Sequence, residues 1–75
     1  MNLFSCKPNV LYRVISLRGG PQFRMRLENL GLAEGKIIRK IHNHPFRGPI
    51  TVKVANTELA IGYGMAEKID VEELA

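Results

Sequence analysis

The stretch RLENLGLAEGKIIRKI, residues 26–41, changes its hydrophobic period from that of a helix to that of a strand. Phe23, Leu27 and Leu30 recur at the spacing of one narrow apolar stripe on an α-helix. The spacing predicts a helix over about residues 21–30. The isoleucine-rich residues that follow predict a strand, so the chain has to turn a corner between the two elements.

Two glycines, Gly31 and Gly35, separate the helical part from the strand. Gly31 is predicted to follow the helix as C′, in the left-handed conformation that glycine adopts at no steric cost. Leu32 is then C″ of a Schellman motif and touches Leu27 at C3, while Gly35 allows the chain to turn sharply into the strand. The change of period therefore predicts a corner and not a binding site.

The rest of the chain predicts short strands, since seven Gly and four Pro are too many for a helical bundle. In the first strand, Leu11, Ile15 and Leu17 share one face with Arg13, and Val10, Tyr12 and Val14 share the other. A strand that is apolar on both faces is expected to be largely buried or strongly curled. The predicted strands cover about residues 10–17, 36–42, 50–54, 58–62 and 69–74, with one helical turn at about residues 63–68.

Five strands around one small core predict a mainly β, curled barrel, with the helix packed across one opening through Phe23, Leu27 and Leu30. An open α+β or ββα sheet is the alternative. At 75 residues the chain is expected to form one domain, residues 1–75.

The net charge of +4 indicates no particular partner. A net charge of about 2–8 is ordinary for a small domain and can serve solubility alone. The basic residues form no dense run, as nucleic-acid binding would favour, and are scattered as Arg13, Arg18, Arg24, Arg26, Lys36, Arg39, Lys40, Arg47 and Lys53. Nucleic acid is therefore not an expected partner.

The single cysteine, Cys6, excludes an internal disulfide and a multi-cysteine zinc site. It lacks a C-x-x-C partner and is expected to serve as a small apolar side chain. A reducing, cytoplasmic location is the natural inference. No apolar run approaches the roughly 18 residues of a membrane span, so direct insertion into a membrane is not expected.

His42 and His44 are the candidate metal ligands, because residues two apart on a strand share a face. Zinc takes three or four protein ligands, and the sequence fixes no third one nearby. The pair allows weak binding of Fe²⁺ or Zn²⁺ and does not support a dedicated site. Hydrolytic triads, P-loops and paired catalytic carboxylates are absent from the sequence, so an enzyme is not expected.

The segments FRMRLENLGLAEGKIIRKI and ELAIGYGMAEKIDV together resemble the FeoA family of small proteins of ferrous-iron transport. The helical part of the family pattern matches Arg26, Leu27, Leu30, Gly31, Leu32 and Gly35. The late part matches Leu59, Ala66, Ile69 and Val71. Two positions depart from the pattern: Glu34 stands where many relatives carry Pro, and Asn9 where many carry Gly.

The resemblance implies an SH3-like barrel and a cytosolic, non-enzymatic accessory protein. It also implies a partner, the cytosolic region of the ferrous-iron permease that contains a G-protein domain, which would recruit the protein to the inner face of the membrane. The same module is similar to the C-terminal domain of iron-dependent repressors, so the alternative is an iron-responsive regulatory or metal-binding module. A nucleic-acid-binding small barrel is a third hypothesis.

SH3-like barrels bind partners through exposed loops beside an apolar groove. In this chain the corresponding features are the loop NHPFRGP, residues 43–49, and the polar face of the helix. The predicted contact residues are Arg24, Met25, Glu28 and Phe46.

Overall fold

Seven regular elements follow one another along the chain in the computed structural model, which describes residues 1–43 and 48–74 except for the side chains of His42 and Asn43. The strands are β1 (Leu11–Leu17), β2 (Ile37–Asn43), β3 (Ile50–Val54), β4 (Thr57–Ile61) and β5 (Ile69–Glu73). Helix α1 (Pro21–Asn29) connects β1 to β2, and the short helix α2 (Tyr63–Ala66) precedes β5. A single 3₁₀ turn, Leu3–Ser5, comes before β1.

The strands form one antiparallel sheet in the order β4-β3-β2-β1-β5. A β-bulge interrupts β1 between Val14 and Ser16, and a second one interrupts β2 between Lys40 and His42. Bulges bend a strand and increase its twist, which helps five short strands to enclose one core. The mainly β class and the order of elements predicted from the sequence are confirmed.

The core lies on one face of this sheet, and alternation along the strands determines which residues enter it. β3 follows the predicted pattern, with Ile50, Val52 and Val54 buried and the residues between them more exposed. β5 likewise buries Ile69 and Val71.

The first strand differs from the prediction, because only one of its two apolar faces is buried. Tyr12 and Val14 point inward, the bulge shifts the alternation by one residue, and Leu17 then points inward as well. Leu11 and Ile15 remain exposed on the opposite face. The bulge therefore lets one strand supply inward side chains at both even and odd positions.

The helix ends at the corner predicted from the glycines. Gly31 has φ +95°, and its N–H donates to the carbonyl of Glu28 at 3.0 Å. The N–H of Leu32 donates to the carbonyl of Leu27 at 2.9 Å, which completes the two hydrogen bonds of a Schellman motif. Gly35, with φ +91°, then turns the chain into β2. The predicted corner is confirmed in these respects.

The predicted apolar stripe on α1 was wrong in one position. Leu27 is buried and Phe23 packs against the core, but Leu30 is 43% exposed, whereas Leu32 is 0% exposed. Leu30 is the C-cap residue, and the left-handed residue after it redirects the chain so that Leu32 enters the core instead. The helix thus packs on the core through Phe23 and Leu27, and Leu32, beyond its end, belongs to the same core.

The turn between β3 and β4 is one residue shorter than the predicted strand bounds, 50–54 and 58–62, imply. Val54 pairs with Thr57, so Ala55 and Asn56 form the turn and Thr57 already belongs to β4. Ala55 has φ +54°, a conformation that most residues with a Cβ avoid.

Replacing Gly31 by Val tests the corner. A β-branched residue at φ +95° is strained even though only Val54 approaches the new Cβ, at 3.8 Å. We expect the free energy of unfolding to fall by more than about 1 kcal/mol, measured by denaturant titration. Gly20→Val is the matched control, because Gly20 has φ −72° and nothing lies within 4 Å of a Cβ there. An equal loss in both variants would contradict the cap assignment.

Candidate binding surface

The predicted contact residues on α1 are exposed and lie along one short helix. Met25 is 62% exposed, and Arg24 and Glu28 also face solvent. Arg24 forms an ion pair with Glu34, 3.4 Å from Nη2 to Oε2. The corner after α1 brings Glu34 back to the helix, which spacing along the helix alone could not indicate.

The other predicted contact, Phe46, lies outside the described residues, as do His44 and the side chain of His42. The predictions for these three residues remain predictions. Among the side chains that the structure describes, no group of three His, Cys, Asp or Glu residues is placed so that it could hold a metal ion. The described residues therefore supply no ligand set for a resident metal.

A second surface, which the sequence did not indicate, lies on the face of the sheet turned away from the core. It is a groove of about 370 Å³, lined by Leu11, Ile37, Ile38, Arg39, Lys53 and Ala55. The strand register explains the grouping, because Leu11 pairs with Arg39 on β2, and Arg39 pairs with Lys53 on β3. We call this surface the outer groove.

Lys40 is the described residue whose position differs most from what the sequence predicted. It was counted among the scattered basic residues whose charge can serve solubility, but its side chain is fully buried. β2 alternates, so Lys40 points inward with Ile38, while Arg39 points outward. This orientation is a correction to the sequence interpretation.

The Lys40 ammonium binds the N-terminal segment. Its Nζ donates hydrogen bonds of 2.8 Å to the carbonyls of Phe4 and Cys6, and lies 5.8 Å from the centre of the Phe4 ring. The Phe4 ring in turn meets Tyr63 of α2 edge to face, with centroids 4.7 Å apart. Burial lowers the pKa of Lys40 because it disfavours the charged form. Lys40 thus connects β2 with the N-terminal turn at the cost of desolvating one charge.

Cys6 is buried beside this contact, as expected for a small apolar side chain. Its Sγ lies 3.6 Å from the carbonyl oxygen of Asn2. Burial raises the pKa of the Cys6 thiol to about 11, although the positive charge of Lys40 acts in the opposite direction. A thiol that stays protonated and buried is a weak nucleophile, so the geometry gives Cys6 a packing role.

The family model described as the FeoA domain matches residues 1–73. The chain belongs to the FeoA family. This family is associated with ferrous-iron transport, and its members are not known as enzymes. A comparison with curated proteins finds no match.

Solved structures of FeoA proteins share the fold. A crystal structure of an iron uptake regulatory protein (FeoA) is 32% identical, with a TM-score of 0.90 over 99% of this chain and 97% of that one. The FeoA protein from Chlorobium tepidum is also 32% identical, with a TM-score of 0.90 over 100% of this chain and 71% of that one. The expected SH3-like fold of the family is confirmed.

Metal-dependent repressors contain the same fold within longer chains. The repressor ScaR with bound Zn²⁺ is 24% identical to this chain, with a TM-score of 0.89 over 99% of this chain and 37% of that one. At this identity the likeness concerns the fold alone. None of the helices in the described ranges, 1–43 and 48–74, is long and apolar enough to cross a membrane.

Lys40→Met tests the buried lysine. The variant keeps a long apolar stem but leaves the partly buried carbonyl of Phe4 and the buried carbonyl of Cys6 without their donor. We expect the free energy of unfolding to fall by about 2 kcal/mol, the usual cost of unsatisfied buried groups. Lys53→Met is the control, because it removes the same charge from the outer face of the sheet. It should change the free energy of unfolding by less than about 0.5 kcal/mol.

Amide hydrogen exchange localises the effect of Lys40→Met. The N–H of Val71 donates to the carbonyl of Met1 at 2.8 Å, so its exchange should become faster if the N-terminal segment detaches. Unchanged stability together with unchanged exchange at Val71 would contradict the role given to Lys40.

The raised pKa of Cys6 predicts a dependence of stability on pH. Above pH 9 the thiol of the unfolded chain loses its proton while the folded thiol keeps it, up to about pH 11. The contribution of Cys6 to the free energy of unfolding is therefore complete below pH 9. About 2–3 kcal/mol of that free energy is lost as the pH rises from 9 to 11. The measurement is the difference in unfolding free energy between the wild type and Cys6→Ala. The lowered pKa of Lys40 makes stability rise with pH in both proteins, so this opposite trend cancels in the difference. A constant difference over this range would refute the prediction.

Proposed function

We propose that this protein is a non-enzymatic, cytoplasmic accessory protein of ferrous-iron uptake. It docks on the cytosolic region of a ferrous-iron permease that contains a G-protein domain. The observation that carries the proposal is the match of the FeoA domain to residues 1–73, together with the fold shared with FeoA proteins that are 32% identical. Partner binding is a function that this small domain can perform without any catalytic group.

The surface of α1 supports a docking role. Met25 is a large apolar side chain in solvent, and it is flanked by charged residues that could orient a partner. Burying one such side chain in an interface contributes about 1.5–3 kcal/mol. Arg24, Met25 and Glu28 are therefore proposed as contacts, and Phe46 is kept with them on the sequence prediction.

Binding of the purified cytosolic region of the permease tests this proposal. By isothermal titration calorimetry we expect a dissociation constant in the micromolar range, and Arg24→Glu should weaken binding about tenfold. Arg26→Glu is the control, because residues two apart point to different sides of a helix. No binding at tens of micromolar would refute the proposed partner, whereas equal effects of both variants would refute only the contact surface.

A regulatory function is the second candidate, and the likeness to the iron uptake regulatory protein (FeoA), which is 32% identical to this chain, favours it. In this alternative the protein responds to iron directly. Anaerobic calorimetry with Fe²⁺ distinguishes the two functions: micromolar binding that is lost in His42→Ala/His44→Ala would support regulation. An absence of heat with Fe²⁺, together with binding to the permease region, would support the accessory role. In both cases no catalytic turnover is expected.

A further inference from the structure

We propose that the outer groove binds a segment of a partner protein in which aliphatic residues are flanked by carboxylates. The inference rests on the proposed function, because the permease's cytosolic region is the first partner in which we expect such a segment. It adds a second docking surface, distinct from the face of α1, and it states the chemistry of its occupant.

The aliphatic part of the groove indicates aliphatic ligand groups. Leu11 and Ile37 lie on neighbouring strands and are each nearly half exposed, although they are large apolar side chains. Together with Ala55 they give the groove an apolar lining. Its volume of about 370 Å³ is at the small end of the range for ligand pockets, which suits one or two aliphatic side chains and not a whole domain.

The charges at the groove indicate an acidic partner. Arg39 and Lys53 lie opposite each other on β2 and β3, and neither forms a salt bridge within the described part of the chain. Glu58 lies opposite Lys53 on β4, yet no ion pair joins them. Three other exposed arginines do have partners, among them Arg13, which pairs with Glu72 at 3.4 Å. Two cations beside an apolar surface complement carboxylates beside aliphatic side chains.

The same features disfavour nucleic acid as the occupant. Binding of single strands combines a run of cations with aromatic rings on which bases stack. The residues that line the groove include two cations and no aromatic ring. A protein segment therefore fits the groove better than a nucleic acid.

The first experiment uses the full chain and defined probes, so it does not depend on the permease. Amide signals of the ¹⁵N-labelled protein are followed while a short synthetic peptide of alternating leucine and glutamate is added. The signals of Leu11, Ile37, Arg39 and Lys53 are expected to move, and a matched peptide of leucine and lysine should leave them unchanged. The proposal is overturned if no signals move, if other surfaces respond instead, or if a short oligothymidylate binds the groove more tightly than the acidic peptide.

The second experiment asks whether the groove serves the proposed partner. Binding of the permease's cytosolic region is measured for Ile37→Thr and Lys53→Glu. Each is expected to weaken binding at least about fivefold. Ile15→Thr is the control for the first, because Ile15 and Ile37 are both 46% exposed and Ile15 does not line the groove. Lys7→Glu, an exposed position in the N-terminal segment, is the control for the second.

The outcomes separate the two proposals. If the wild type binds the permease region and all four variants bind equally well, the groove proposal is wrong while the proposed function stands. Equal losses of affinity in the variants and in their controls would likewise refute the groove proposal and leave the proposed function standing. If the wild type does not bind the permease region, the proposed function fails, and the peptide titration alone decides whether the groove takes an acidic, aliphatic segment.

Discussion

The Schellman motif at the end of α1 fixes the direction of the chain, and the other features depend on this direction. Its longer-range hydrogen bond runs from the N–H of Leu32 to the carbonyl of Leu27. It closes α1 and, with Gly31 in the left-handed conformation, sends the chain from the helix towards β2. β2 is the central strand of the sheet. Its outward side chains contribute to the groove and its inward side chains to the core. The corner thus sets the positions of both candidate surfaces, although no residue in it contacts a partner in our proposals.

Lys40 connects β2 to the beginning of the chain. Burying a lysine costs free energy, and this cost is offset only when its hydrogen-bond donors are used. Two carbonyls of the N-terminal segment use them. A small domain buries little surface, so a polar contact that fastens the N-terminal segment to β2 adds to the packing of Leu3 and Cys6 in the core. The terminus in turn pairs with β5 through Met1 and Val71.

Local sequence patterns predicted the elements well and the tertiary contacts poorly. Gly31 and Gly35 could be interpreted because a left-handed turn needs glycine whatever surrounds it. Lys40 could not, because its partners are backbone carbonyls of residues 34 and 36 positions away, and backbone carbonyls leave no trace in a sequence. The burial of Leu17 beside the exposed Ile15 depends on a bulge, which the alternation of residue types does not reveal. The outer groove was missed for the same reason, since it exists only once three strands are in register.

The central claim is that this FeoA-family domain acts by binding a partner through its exposed surfaces. Mapping of amide chemical shifts while the unlabelled permease region is added to the ¹⁵N-labelled protein tests it most directly. We expect the signals that move to cluster on α1, around Met25, and on the outer groove, around Ile37 and Arg39. Binding through these surfaces is contradicted if no signals move at saturating concentrations, or if the changes are confined to β5 and the N-terminal segment.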